Sequence, residues 1–97
     1  MKKIGIIGAG NIGCALAKGL VAQKVISPSE LYLSRKRNGL LAEQEKEGFR
    51  ISDNTTLVEE CDIVILAVLP GQAMEVLLDL KPLFQEGKKI LVSVVSA

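Results

Sequence analysis

Gly8, Gly10 and Gly13 stand at G-x-G-x-x-G spacing, Gly8-Ala9-Gly10-Asn11-Ile12-Gly13, directly after the apolar run Ile4 to Ile7. That spacing can hold a pyrophosphate on main-chain atoms. Gly8 permits a tight turn, Gly10 removes a side chain where phosphate oxygens must approach the backbone, and Gly13 lets a following helix pack closely on the strand. The helix start adds unpaired N–H groups and the positive end of its dipole. A glycine string alone is weak evidence, since a packing turn uses the same residues. A strand before it and a helix after it give it weight.

Three further stretches could complete a dinucleotide site. A second strand should end about 20 residues beyond the loop, where the adenine ribose is read, and in this chain that point is Ser34, followed by Arg35, Lys36 and Arg37. A carboxylate there would bind the ribose hydroxyls of NAD. A neutral serine with a run of cations suits the 2′-phosphate of NADP instead, with Ser34 donating a hydrogen bond and Arg35 gripping two phosphate oxygens. A solvated basic turn is the competing reading. Asn54 lies past the third strand, able either to contact the adenosine half or to cap the next helix. Ala67-Val68-Leu69-Pro70 ends the most apolar run of the chain and could border the nicotinamide half, although Pro70 would also fix a turn there. Cys14 follows the loop at a position where a thiol pKa could be lowered, with plain packing as the expected role.

The composition narrows the alternatives. The chain has 97 residues, 48% hydrophobic and 24% charged, which suits one globular domain over residues 1–97. A net charge of +1 advertises neither nucleic acid nor an anionic membrane as a partner. With no His, the segment lacks the commonest general base and zinc ligand, and its two cysteines are not at metal-ligand spacing, so no metal is expected. Met1-Lys2-Lys3 and the apolar run after it are too interrupted by glycines for a signal peptide, and the cytoplasm is the expected compartment.

The elements that must position these residues alternate. Lys3 to Ile7 reads as a buried strand. Asn11 to Gln23 then reads as an amphipathic helix with Ile12, Ala15, Leu16, Gly19 and Leu20 on its apolar face. A second strand is expected over Leu31 to Ser34, and a helix capped by Asn38 over Leu40 to Glu47, closed by Gly48. Phe49 to Ser52 forms a weak strand near an edge, a short helix lies near Leu57 to Glu60, and Asp62 to Val68 forms a central strand. Ala73, Leu77, Leu80 and Phe84 recur at helical spacing, with Pro82 expected to end or restart the helix before a last strand over Lys89 to Val94. The alternation, with only 3% aromatic residues, predicts a three-layer α/β fold with a doubly wound parallel sheet of the Rossmann type.

With these pieces in place, the sequence resembles the N-terminal domain of the pyrroline-5-carboxylate reductases. The resemblance rests on Ile4 to Gly13, Ser34-Arg35, Asp53-Asn54, Asp62 to Pro70 and Leu80-Lys81-Pro82-Leu83, and covers essentially the whole chain. It implies an oxidoreductase of proline biosynthesis that transfers hydride from NADPH to a cyclic imine. The cofactor would be held by Ile7, Gly8, Ala9, Gly10, Asn11, Ile12 and Gly13, by Ser34, Arg35 and Lys36, by Asn54, and by Ala67, Val68, Leu69 and Pro70. The same resemblance puts Ser96 and Ala97 close to the nicotinamide. Leu69 replaces a usual lysine, and Val95-Ser96-Ala97 replaces an Ala-Ala-Gly-like stretch. It further implies a helical C-terminal domain that forms a homo-oligomer and most of the imine pocket. Ala97 comes immediately after the last strand, so this chain is expected to be a fragment, inactive alone. Alternatives are the cofactor domain of a coenzyme F420-dependent NADP reductase or a β-hydroxyacid dehydrogenase, and a non-catalytic NADP-binding paralogue.

Overall fold

Ile4, Gly5, Ile6 and Ile7 are all buried, the pattern of a parallel strand covered on both faces. A computed structural model describes residues 3–8, 10–35, 41–68, 70–85 and 90–93. Its elements are β1 (Ile4–Ile7), α1 (Asn11–Ala22), a 3-10 turn (Pro28–Glu30), β2 (Leu31–Ser34), α2 (Ala42–Lys46), β3 (Arg50–Ile51), α3 (Asn54–Glu60), β4 (Ile63–Leu66), α4 (Pro70–Gln85) and β5 (Ile90–Ser93). The five strands form one sheet in the order β3-β2-β1-β4-β5, with every neighbouring pair parallel. This is the doubly wound sheet of the Rossmann type.

The period-2 alternation of the strands divides the core into two layers. Ile4, Ile6, Leu31, Leu33 and Ile65 pack on one face with Ala17 of α1, Leu41 and Phe49. Ile7, Tyr32, Val64 and Leu66 pack on the other with Leu57 and Val58 of α3, Cys61 and Leu80 of α4. Shifting one strand by a residue would exchange its two sets, so the register is held from both sides. That register brings Ile7, Ser34, Leu66 and Ser93 into one row. The residues that follow the strands therefore emerge along a single edge. The chain leaves β1 toward β2 on one side and later returns to β4 on the other, and ligands bind outside the carboxyl ends of strands at such a reversal.

Some elements differ from their sequence expectations. The apolar face of α1 was expected to include Ile12, Ala15 and Gly19, yet Ile12 is 56% exposed, while Gly13 and Ala17 are buried. The small residues bring the helix close to the sheet, so the packed line runs through them and on to Leu20 and Val21. Pro82 was expected to interrupt its helix, but α4 continues through it to Gln85. Pro82 lacks the N–H that would reach the Leu78 carbonyl. Leu78, the residue whose carbonyl loses that donor, is 63% exposed. The edge strand is shorter than expected, since Phe49 leaves it to pack into the core. Asn38, the expected cap of α2, falls outside the described residues, and α2 follows Leu41. Among the described residues no helix is long and apolar enough to cross a membrane.

Candidate functional site

The glycine loop is fixed by main-chain bonds to both neighbouring strands. Gly8 N–H donates to the Ser34 carbonyl at 2.9 Å, and Ala67 N–H donates to the Ile7 carbonyl at 2.8 Å. Gly8 has φ +82°, a conformation that costs an L side chain about 1–2 kcal/mol. Space forbids a side chain there as well. A Cβ would run into Cγ1 of Val68 and lie 2.9 Å from the Ala67 carbonyl oxygen. The turn after β1 is thus wedged against the turn after β4.

Gly10 presents the opposite situation. Among the described residues, an added Cβ would find nothing closer than the Gly8 carbonyl oxygen at 4.0 Å, and φ is −82°. Neither the sign of φ nor a described neighbour requires glycine at this position, whereas a ligand approaching the main chain would. Gly10 is also the N-cap of α1, with no side-chain cap and no acidic residue in the first turn. The 12-residue helix α1 therefore begins with a dipole end that no cap or first-turn acidic side chain of its own closes. By contrast, the Asp53 carboxylate closes the start of α3 by accepting from Thr56 N–H at 2.7 Å. Hydrogen bonds from Thr56 hold that carboxyl below its ordinary pKa.

The capping by Asp53 settles the alternative reading of Asn54. Asn54 is the first residue of α3 and is not its cap. Its Oδ1 accepts a hydrogen bond from Ser34 Oγ at 2.5 Å. The fold thus brings together two residues that lie far apart in sequence. Ser34 is only 1% exposed, and its hydroxyl turns toward α3.

Arg35 is exposed immediately after β2. Its position beside α1 is reflected in Cys14, whose thiol pKa is pushed up by burial against the opposing cations Arg35 and Lys18, while Glu47 adds to the rise. The possible lowering of this thiol pKa is therefore not what the structure gives, because partial burial outweighs both cations, in keeping with the expected packing role. Lys18 went unnoticed as a member of this cationic group. It sits one turn beyond Cys14, and i,i+4 spacing on a helix starting at the loop is the signal that could have found it.

Of the remaining residues, Ile12 stands exposed at the mouth of the loop, Gly13 is buried, and Ala67 and Val68 are partly buried at the same edge. Asn11 and Pro70 begin α1 and α4. Ala9, Lys36, Leu69 and residues 95–97 lie outside the described residues. The arrangement has the parts to hold an extended diphosphate ligand across the β1–β4 crevice, with a cationic end beyond β2.

Known proteins share both this sequence and this fold. The chain is 34% identical over 94 residues to pyrroline-5-carboxylate reductase 1 of Dictyostelium discoideum, covering 96% of this chain and 17% of that protein. It is 42% identical over 82 residues to the pyrroline-5-carboxylate reductase of Methanosarcina acetivorans, covering 82% and 30% respectively. The pyrroline carboxylate reductase of Plasmodium falciparum, solved with NADP bound, superposes with a TM-score of 0.82 at 29% identity, over 97% of this chain and 33% of that one. The pyrroline-5-carboxylate reductase of Coxiella burnetii gives a TM-score of 0.88 at 29% identity, over 97% and 35%. The chain thus spans about a third or less of the length of these relatives. Residues 3–97 match the family described as NADP oxidoreductase, coenzyme F420-dependent, and the chain belongs to that family.

Proposed function

We propose that residues 1–97 form the NADP(H)-binding domain of a pyrroline-5-carboxylate reductase. The observation that carries the cofactor assignment is the pairing of Gly8 and Gly10: one glycine demanded by the fold, the next demanded by no described residue. Such a cradle, at an uncapped helix start on the reversal point of a parallel sheet, fits a dinucleotide pyrophosphate.

In this reading Ile7 to Gly13 hold the pyrophosphate. Arg35, with Lys36 beyond it, meets the 2′-phosphate by charge-assisted hydrogen bonds. Ser34 and Asn54 border the adenosine half, and Ala67 to Pro70 border the nicotinamide half. The bound cofactor supplies a hydride from C4 of its nicotinamide to the imine carbon of the substrate. This chain's residues do no proton transfer of their own; they orient the cofactor and leave one face of it open. The rest of the reductase, a helical C-terminal domain as in the resemblance, closes that face over the imine and forms the homo-oligomer. The domain alone binds NADP(H) without turnover. The cytoplasm suits a protein whose two cysteines remain thiols.

The substrate assignment is supported by the names of the relatives, and the family description favours a second reading, NADP reduction with coenzyme F420. Turnover separates the two. The whole protein should oxidise NADPH in the presence of pyrroline-5-carboxylate, and failure to do so while binding NADPH tightly would defeat the proline-pathway reading.

A further inference from the structure

α1 carries fewer charges than a surface helix needs. Among its twelve residues only Lys18 is charged, and apolar or small residues continue past the side that meets the sheet. A helix that is hydrophobic around most of its circumference is normally buried around most of it. The sheet accepts one side, through Gly13, Ala17, Leu20 and Val21. Ile12, Ala15, Gly19 and Ala22, at i, i+3, i+7 and i+10, form a second stripe, and all four are exposed.

Cys14 and Lys18 fix the direction of that stripe. They share the flank of α1 that has Arg35 and Glu47 as neighbours, on the side of β2. The stripe lies on the other flank, which looks across β1 toward β4 and β5. There the sheet is open. Leu33, Ile6, Ile65 and Val92 form one row on the face of α1, and their exposure runs 0%, 0%, 8% and 41% as the row leaves the cover of the helix. Parallel strands are ordinarily covered on both faces, and α4 supplies the cover only on the other one. The exposed flank of α1 and the open face of β4 and β5 are the two walls of one apolar groove.

The length of the relatives and the handedness of the sheet indicate what fills it. About two thirds of each relative lies outside the stretch that this chain matches. A right-handed crossover from β5 to a further parallel strand would put its helix on the face of α4, so extending the sheet leaves the groove open. The groove is left for a helix from outside the sheet's own crossovers. We propose that a helix of the reductase's second domain docks between the outer flank of α1 and the open face of β4 and β5. Its closest approach is at Gly19, where an added Cβ would meet no described neighbour within 4 Å. The inference rests on the reading of residues 1–97 as one domain of a longer reductase.

Thiol labelling of Gly19→Cys tests this, read at the peptide by mass so that Cys14 and Cys61 are told apart from it. In the 97-residue chain position 19 should react nearly as fast as in urea. In the whole protein it should react roughly 10-fold more slowly or less, the protection that a tenfold docking equilibrium gives. Lys46→Cys, exposed on α2 at the far side of the sheet, should label equally in both. Gly19→Gln supplies a second readout with opposite signs. It should raise the melting temperature of the 97-residue chain by roughly 2–5 °C, because glutamine favours helix over glycine, and lower that of the whole protein, where the side chain enters the space of the docked helix. Equal labelling at position 19 in the two proteins would overturn the proposal, as would protection at position 46 as strong as at 19, or stabilisation of both proteins by Gly19→Gln. Protection at position 19 that grows with concentration in the 97-residue chain would assign the groove to a second copy and overturn it too. None of these measurements uses a nucleotide, so they leave the NADP(H) assignment untouched, and that assignment fails separately if NADPH does not bind.

Discussion

A single methyl at position 10 separates what the fold needs from what a ligand needs. In the ligand-free chain, Gly10→Ala introduces a Cβ whose nearest described neighbour is the Gly8 carbonyl oxygen at 4.0 Å, an ordinary contact, at a φ of −82° that alanine adopts readily. Replacing glycine where alanine fits also reduces the entropy of the unfolded chain, a gain of about 0.4–1 kcal/mol. Alanine is a poorer N-cap than glycine, which offsets that gain. The net change in stability should lie within about 1 kcal/mol of zero, a shift of no more than about 4–8 °C in melting temperature for a chain of this size. The methyl fills the space into which pyrophosphate oxygens must come. Overpacking a closed contact by one carbon costs about 1–3 kcal/mol, which corresponds to a loss of roughly 5- to 150-fold in NADPH affinity. Thermal denaturation and calorimetric titration on the same sample measure both quantities. Wild-type affinity in a normally folded Gly10→Ala would refute the assignment of this space to the pyrophosphate. A chain that unfolds would refute the claim that no described residue requires glycine there.

Gly8→Ala should behave in the opposite manner: left-handed backbone and collision with Val68 and the Ala67 carbonyl together cost about 2–5 kcal/mol, visible as a melting temperature lowered by about 8 °C or more at about 4–8 °C per kcal/mol. Arg35→Gln removes a charge-assisted bond worth about 1.5–3 kcal/mol, so NADPH should bind roughly 10- to 150-fold more weakly while NADH is unaffected; equal losses for the two would show that Arg35 does not read the 2′-phosphate. The Asp53 carboxyl, held below its ordinary pKa by Thr56, stabilises the folded chain above the unfolded-state value, and this is lost as pH falls through the folded one. Asp53→Asn keeps a cap that does not titrate, so its acid unfolding limb should be flatter than that of the wild type, and an unchanged limb would mean the cap contributes nothing.

The strands were readable because parallel strands buried on both faces leave continuous apolar runs. Leu31–Ser34 and the glycine loop beside it emerge directly from such patterns. Less legible were features decided by packing between distant segments. The face of α1 turned on how closely Gly13 and Ala17 approach the sheet, which helical spacing alone does not reveal. Asp53, Asn54 and Thr55 are all good cap types, and only the bond from Thr56 N–H to the Asp53 carboxylate shows which of them caps. Gly5 carries no turn signal at all, yet a Cβ there would meet the Leu57 side chain and lie 3.0 Å from Cys61 Sγ, so it is what lets α3 lie against β1. Lys18 reads as a solvated helix residue until its neighbourhood with Cys14 and Arg35 is seen.

The most direct test of the account is parallel titration of the wild-type chain with NADPH and NADH at moderate salt. The glycine cradle and Arg35 predict saturable binding of both through the shared pyrophosphate, with NADPH clearly tighter. Equal affinities would contradict the NADP assignment, and no binding of either would contradict the site itself.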